Sequence, residues 1–442
     1  GRPYGADTAA VRAPSTDWPT MGDVNDPLAS FAALRTAEGQ GLLDAVRDVE
    51  PSQELAVATR LRREHPADLV SAALAQARLR QRAAAKFGAA DAARMYFTPN
   101  GVEQSTRASV ATYRARRFSD PGELGGLGVR SVADLCCGIG GDAIALARAG
   151  IAVLAVDRDP LTCAVARANA EVLGLADLIE VREADVTDVD TSPYDAVFVD
   201  PARRGGRPGG AAHSASARGG GRATGGRIFD PEAYSPPLSW AVETARKAPR
   251  AALKIAPGIP HDAVPDEAEA EWISDGGDVK EAVLWFGGDA PGSHRATLLP
   301  SGDTLASPLA TMLPDPDVRA VGRFLYEPDG AVIRAHLVAE VAARVGGGLI
   351  DETIAYVTSD AAVVTPYASA YEITDQLPFN VKKLKALLRE RGVGILTVKK
   401  RGSAVEPEEL RRKVKPQGPG SATVFLTRVG GAPTMLVGHP VG

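Results

Sequence analysis

Between Ser131 and Asp157 the apolar and polar positions fall into blocks that fit strand, turn, helix and strand in succession. Val132–Leu135 is a short apolar run, broken by Gly138, Gly140 and Gly141. Asp142–Ala149 has helical spacing, and Gly150 suits the left-handed residue that ends a helix. Ile151–Val156 is β-branched and apolar and stops at Asp157. The alternation continues downstream. Asp159-Pro160 supplies an N-cap acid and a first-turn proline, and the helix it opens runs to about Leu173 before Gly174. Leu178–Val181, Tyr194–Asp200 and Ala251–Ile255 read as a third, fourth and fifth strand. Glu271–Ser274 and Val279–Phe286 flank an Asp-Gly-Gly-Asp turn and read as an antiparallel hairpin. Strands alternating with helices predict an α/β, Rossmann-like sheet.

The pattern changes on either side of this core. From about Asp26 to Phe118 it is helical, with Leu69, Val70, Ala73, Leu74 and Ala77 forming an apolar stripe after Pro66. A Pro-rich stretch, residues 300–316, reads as a linker. Beyond it Ala331–Val345 and Val381–Arg391 read as helices, and Glu352–Val357 and Ile395–Val398 as strands. The expected organisation is a disordered tail over 1–25, a helical domain over 26–118, an α/β core over 127–299, a linker over 300–316 and a small α+β domain over 317–442. Inside the core, 203–227 is rich in Gly and Arg and has no acid, so it reads as a flexible loop.

Composition narrows the possibilities. The 442 residues carry a net charge of −5, so the whole chain is not a generic polyanion binder. Its three cysteines, Cys136, Cys137 and Cys163, lie in no metal-ligand spacing, which fits a reducing cytoplasm and argues against a disulfide framework or a zinc site. The six histidines are scattered along the chain, and the expectation is no metal. No apolar run approaches the roughly 20 residues that span a bilayer. The first 25 residues lack a basic-then-apolar signal pattern, so a cytoplasmic protein without membrane contact is expected. A Gly-Lys-Ser/Thr phosphate loop and a Gly-x-Ser-x-Gly elbow are both missing from the sequence.

The glycine turn between the first strand and helix lets the backbone approach a ligand closely. An acid about 20 residues on, Asp157, is placed for ribose hydroxyls, so the pattern is that of a nucleoside-cofactor site. The turn is Gly138-x-Gly140-Gly141 rather than the dinucleotide pattern, and Asp134 stands four residues before its first glycine. A carboxylate there repels a pyrophosphate and attracts an ammonium group. This combination resembles motif I of class I S-adenosylmethionine-dependent methyltransferases, and DLCCGIGG resembles RNA-directed members such as trimethylguanosine synthase. The resemblance implies a seven-stranded sheet closed by the hairpin, and S-adenosylmethionine held by Asp134, Cys136, Gly138, Gly140, Asp157, Arg158, Asp185 and Val186. It also makes Thr98 and Gln104, in the segment leading into the core, candidate ligand contacts.

Asp200-Pro201-Ala202-Arg203 follows the fourth strand where amino methyltransferases carry Asp/Asn-Pro-Pro-aromatic. The acid there accepts a hydrogen bond from an exocyclic amine, and Arg203 takes the place of the aromatic. Asp200, Pro201 and Arg203 are therefore the candidate catalytic residues. Arg204, Tyr234 and Lys254 are candidate acceptor contacts, with Tyr234 equally consistent with core filling and Lys254 placed to pair with Asp200. The related Asp-Pro-Pro-Arg of uracil-C5 methyltransferases works with a downstream cysteine nucleophile. No cysteine follows Cys163, which excludes that mechanism.

Between Phe379 and Arg428 the chain has 13 Lys/Arg against four Glu. Lys399, Lys400 and Arg401 follow a strand directly and are candidate nucleic-acid contacts. The phrases Tyr326-Glu327-Pro328-Asp329, Ala355–Asp360, Leu377-Pro378-Phe379 and Val398–Gly402 resemble a THUMP-like domain found behind methyltransferases in a bacterial, notably actinobacterial, family. The expected activity is S-adenosylmethionine-dependent methylation of a base nitrogen in structured RNA, rRNA or tRNA. The alternatives are a small-molecule or protein methyltransferase, and a non-catalytic S-adenosylmethionine-binding protein that binds RNA.

Overall fold

The computed structural model describes residues 26–121, 126–203 and 230–442. The tail 1–25 and most of the Gly/Arg-rich loop, Arg204 included, lie outside the described residues. The chain divides into two compact units, one holding the residues up to Ser119 with Arg130–Asp190, the other holding Asp120–Val129 with Thr191–Gly442.

The first unit opens with seven helices: α1 (Pro27–Leu34), α2 (Ala37–Val46), α3 (Glu54–Leu61), α4 (Ala67–Phe87), α5 (Ala89–Ala92), α6 (Pro99–Gln104) and α7 (Ala108–Ser119). The long helix α4 buries the stripe expected from its spacing, Leu69, Val70, Ala73, Leu74 and Ala77. Three parallel strands follow, β1 (Ser131–Leu135), β2 (Ala152–Asp157) and β3 (Ile179–Glu183), with β2 between the other two. Helices α8 (Gly141–Arg148) and α9 (Pro160–Val172) are the crossovers. Asp159 caps α9 by accepting from the Thr162 N–H at 2.9 Å, with Pro160 in the first turn.

The second unit contains β4 (Ala196–Val199), β5 (Ala202–Arg203), β6 (Tyr234–Ser235), helix α10 (Leu238–Lys247) and β7 (Arg250–Ile255). After them come β8 (Glu269–Asp275), β9 (Asp278–Phe286), β10 (Ser293–Leu299) and β11 (Asp303–Pro308). The order is β4-β7-β9-β8-β10-β11, with β4 and β7 parallel and the hairpin strand β9 antiparallel to β7. Strands β1–β3 of one unit and β4, β7, β8 and β9 of the other match the expected strands. Strands β10 and β11 extend the sheet beyond them: β10 runs parallel to β8, and β11 returns antiparallel through Ser301-Gly302, where Gly302 is left-handed (φ 82°). Strand β11 occupies part of the stretch read as a linker.

The same unit carries a second sheet. Strands β12 (Phe324–Pro328), β13 (Gly348–Asp351), β14 (Ile354–Ser359), β15 (Ala368–Pro378), β16 (Val393–Lys400), β17 (Gly420–Val429) and β18 (Ala432–Pro440) take the order β13-β14-β12-β15-β18-β17-β16. Helices α13 (Val381–Glu390) and α14 (Pro407–Val414) cover Leu396, Val398, Val424 and Leu426 with Leu384, Leu388, Leu410 and Val414. The helix read over Ala331–Val345 is two helices, α11 (Gly330–Arg334) and α12 (Val338–Val345). His336 interrupts them in a left-handed conformation (φ 58°), which ends the first helical hydrogen-bond ladder. The whole is α/β: a helical N-terminus, a core of parallel strands with an antiparallel extension, and a C-terminal α+β region.

Candidate functional site

In the first unit, Asp134, Asp157 and Asp185 stand at or just beyond the carboxyl ends of β1, β2 and β3, where open α/β sheets bind ligands. The turn after β1 is sharply wound. Cys136, Gly138 and Gly140 all have positive φ, at 67°, 56° and 96°. Gly140 is the N-cap of α8, and a Cβ there would stand 3.7 Å from the Cβ of Ala166 on α9. At Gly138 a Cβ would meet no atom within 4 Å, so glycine there is required by the backbone and leaves the space beside it clear. Asp157 fixes the turn, since its Oδ2 accepts from the Gly138 N–H at 3.1 Å while Oδ1 accepts from the Asp159 N–H at 3.0 Å. Asp134 is wholly buried within β1.

Asp185 is exposed, and its Oδ1 accepts from the Thr187 hydroxyl and N–H, at 2.7 and 2.9 Å. Those bonds, the hydroxyl first, hold its carboxyl below the usual carboxylate range. Arg158 is exposed after β2, and Val186 is buried after Asp185. The wound turn, the clear space at Gly138 and the row of acids suit a cationic amino-acid and ribose ligand such as S-adenosylmethionine.

The sequence reading missed two side chains. Asn169 on α9 is fully buried and donates from Nδ2 to the carbonyls of Ile139 (2.9 Å) and Tyr96 (3.1 Å), while its Oδ1 accepts from the Tyr96 N–H at 2.7 Å. Gln76 on α4, also fully buried, does the same for the next residue: it donates to the Phe97 carbonyl at 3.1 Å and accepts from the Phe97 N–H at 2.7 Å. Two consecutive peptide units in the lead-in segment are thus each read by a buried carboxamide, one of which also holds the glycine turn. The signal was available in the spacing, because Gln76 and Asn169 are polar residues on buried helix stripes. Thr98 caps α6, its hydroxyl accepting from the Gly101 N–H at 2.9 Å, and Gln104 is exposed. Arg114 on α7 pairs with Asp142 in the first turn of α8 at 2.9 Å, a nearly buried bridge.

Two of the three cysteines, Cys137 and Cys163, are buried, which suits them poorly as nucleophiles. Burial pushes the Cys163 thiol to about 11 and, helped by Asp134 and Asp157, raises Cys137 well above its ordinary value.

In the second unit, Asp200 follows β4 directly and its Oδ2 accepts from Lys254 Nζ at 3.2 Å. Lys254 is on the adjacent parallel strand β7, and the two side chains are about a quarter exposed. Pro201 is buried, and the short β5 that follows pairs Ala202 with Ser235 and Arg203 with Tyr234. Tyr234 is only 5% exposed, so its ring is buried in this unit.

The basic region divides on inspection of partners. Lys399 Nζ donates to Glu327 at 2.8 Å and lies over the Tyr371 ring; burial alone would lower its pKa, but the carboxylate prevails and raises it. Lys400 bonds Glu406 at 2.6 Å, and Arg401 lies over the ring of Tyr356. The three expected nucleic-acid contacts are therefore engaged within the domain.

Uncharacterised S-adenosylmethionine-dependent methyltransferases from two Mycobacterium tuberculosis strains, CDC 1551 and H37Rv, are each 34% identical to this chain over 362 residues, 80% of it and 91% of theirs. The chain belongs to this S-adenosylmethionine-dependent methyltransferase family. A family model described as RNA cap guanine-N2 methyltransferase matches residues 129–209 of the methyltransferase, from the start of β1 past Asp200. One described as THUMP domain-like matches 368–440, and one for a domain of unknown function matches 26–83. The crystal structure of a proposed methyltransferase from Porphyromonas gingivalis W83 shares the methyltransferase's fold, with a TM-score of 0.73 at 20% identity over 94% of this chain and 99% of that one. Among the described residues no cluster of His, Cys, Asp and Glu could hold a metal ion, and no helix is long and apolar enough to cross a membrane.

Proposed function

We propose that this methyltransferase modifies a base nitrogen in structured RNA, rRNA or tRNA. The observation that carries the reading is the Asp200–Lys254 pair: a largely buried carboxylate at the end of β4, anchored by a cation on the neighbouring strand. S-adenosylmethionine supplies an electrophilic methyl group and leaves as a neutral thioether. Transfer is an in-line displacement, so orienting the nucleophile is the protein's main task. Asp200 accepts a hydrogen bond from the N–H of the acceptor base, which aims the nitrogen lone pair and gives the departing proton a base. Lys254 holds the Asp200 carboxylate in place. Pro201 stiffens the backbone after it, and the backbone bridge from Arg203 to Tyr234 keeps the following residues extended.

Cofactor contacts fall to Asp134, Cys136, Gly138, Gly140, Asp157, Arg158, Asp185 and Val186. The RNA substrate is supported by the matches described as RNA cap guanine-N2 methyltransferase and THUMP domain-like. The test is transfer from labelled S-adenosylmethionine to total RNA of cells lacking the gene, followed by nucleoside mass spectrometry. A methylated nucleoside that forms with the wild-type protein and not with an Asp200→Ala variant is the expected result. Absence of label from RNA, with cofactor binding intact, overturns the reading in favour of a small-molecule or protein acceptor or a purely binding role.

A further inference from the structure

The thirteen cations between Phe379 and Arg428 are not equivalent. Arg391, Lys399, Lys400, Arg411 and Lys413 each hold a carboxylate, those of Asp375, Glu327, Glu406, Glu408 and Glu409. Arg401 lies on Tyr356, and Arg428 donates to the Thr353 hydroxyl at 2.9 Å. Among the described residues, Lys382, Lys383, Lys385, Arg389, Arg412 and Lys415 have no carboxylate within ion-pair distance. All six lie on α13, on α14 or at its C-cap, in the layer that covers one face of the second sheet.

Helix α13 concentrates four of them. Lys382, Lys385 and Arg389, spaced by three and four, form one row about 10 Å long, and Lys383 flanks it. Like charges at that spacing repel, and Glu390, the one acid of the helix, makes no ion pair with them, so the row is held at a cost that an external anion relieves. Phe379 stands two residues before the helix with 37% of its surface exposed, and Asn380 caps the helix by accepting from the Lys383 N–H at 3.0 Å. An exposed aromatic beside a row of unneutralised cations matches single-stranded nucleic acid, which offers phosphates to the cations and a base face to the ring.

Two other polyanionic partners fit less well. A membrane surface needs an apolar helix face to insert, but Leu384 and Leu388 are 0% and 1% exposed within the core. An acidic protein partner needs an apolar interface centre, which a single half-exposed ring does not make.

We propose that α13, with Phe379, is the surface that grips an unpaired segment of the RNA substrate, while Lys399, Lys400 and Arg401 serve to hold the domain together. This rests on the reading of the substrate as RNA. The test uses the full chain and a fluorescein-labelled 20-nucleotide single-stranded RNA, titrated by anisotropy over a range of salt. Replacing Lys382, Lys383, Lys385 and Arg389 by Ala, a better helix former, is expected to weaken binding roughly ten- to hundred-fold and to lower the salt slope by about 0.7 per lost phosphate contact. Lys413→Ala, which removes an ion-paired cation, is expected to change affinity less than about threefold. Ultraviolet crosslinking of the same RNA to the wild-type protein is expected to mark the Phe379–Arg389 peptide.

If the wild type binds and the fourfold variant binds equally with the same slope, the placement on α13 is overturned while the RNA reading stands. If the wild type binds no RNA, both fall. Equal binding of polyglutamate, with no crosslink at the Phe379–Arg389 peptide, reduces the surface to a general polyanion site and overturns the proposal.

Discussion

Asn169 satisfies both backbone groups of Tyr96, accepting from its N–H at 2.7 Å and donating to its carbonyl at 3.1 Å, and the same amide nitrogen reaches Ile139 in the glycine turn. Its replacement by Leu leaves three buried backbone groups without partners, each costing about 1–3 kcal/mol, so a loss of several degrees in Tm is expected. Asn169→Asp is the more informative change. An ionised carboxylate keeps the Tyr96 N–H and faces two carbonyls it cannot donate to. Affinity for S-adenosylhomocysteine, measured by calorimetry, is expected to fall at pH 8 and to recover in part as the pH is lowered and the acid gains a proton.

Asp157 and Asp200 are expected to fail in different ways. Asp157→Ala releases the N–H groups of Gly138 and Asp159 and should weaken S-adenosylhomocysteine binding by roughly tenfold or more. Asp200→Ala should leave that binding within about twofold and lower methyl transfer by two orders of magnitude or more. Equilibrium binding and single-turnover transfer on the same preparations distinguish the two. Loss of cofactor binding by Asp200→Ala would place that residue on the cofactor side.

Three histidines remote in sequence meet in the second unit. His261 stacks on His336 with ring centroids 3.5 Å apart, lies 4.7 Å from His294, and also stacks with Trp272 at 5.0 Å. Burial first, and then the neighbouring His336, pull His261 down to about 4; burial also lowers His294 and His336. The acids that oppose these shifts are Asp262, near His261, and Asp315, near His336. The unfolded chain takes up these protons near pH 6.5 and the folded one only at lower pH. Their contribution to stability is therefore complete above about pH 6.5 and is lost as the pH falls, for His261 toward 4. Thermal melting at pH 7.5, 6 and 5 should show a steady fall in Tm. His336→Asn, which tolerates the left-handed conformation, should flatten it.

Thiol chemistry offers a simple check on the cofactor turn. Cys137 and Cys163 are buried and held protonated, so iodoacetamide at pH 8 is expected to spare both in the native protein and to label them once it is unfolded. Peptide mapping by mass spectrometry reads the result. Native labelling of Cys163 would contradict its burial.

The strand–helix alternation was legible because most strands are short apolar blocks with an acid or a glycine turn close after them, and the hairpin because Gly276-Gly277 supplies the two positive φ angles a tight turn needs. Strands β10 and β11 were harder to see: Pro300 suggested a linker, yet it falls in the Leu299–Asp303 turn, outside the hydrogen-bonded pairs that follow. The break at His336 left no trace in the apolar spacing, since histidine adopts the left-handed conformation too rarely for its presence to mark one. Charge was legible as a total and not as a set of pairs. Glu327, which holds Lys399, is 72 residues away in sequence, and only folding separates the occupied cations from the available ones.

The paired carboxamides have a consequence for how this enzyme can be divided. Helices α1–α7 and strands β1–β3 belong to one compact unit, and the buried hydrogen bonds of Gln76 and Asn169 run through its centre. A boundary drawn at residue 118, where the helical pattern ends, would strip Asn169 of the Tyr96 backbone and open the wall behind the glycine turn. The helical segment and the cofactor strands are therefore expected to unfold together, as one unit. A catalytic core excised without its N-terminal helices should be insoluble or unable to retain its cofactor, however well its motifs align with those of free-standing enzymes.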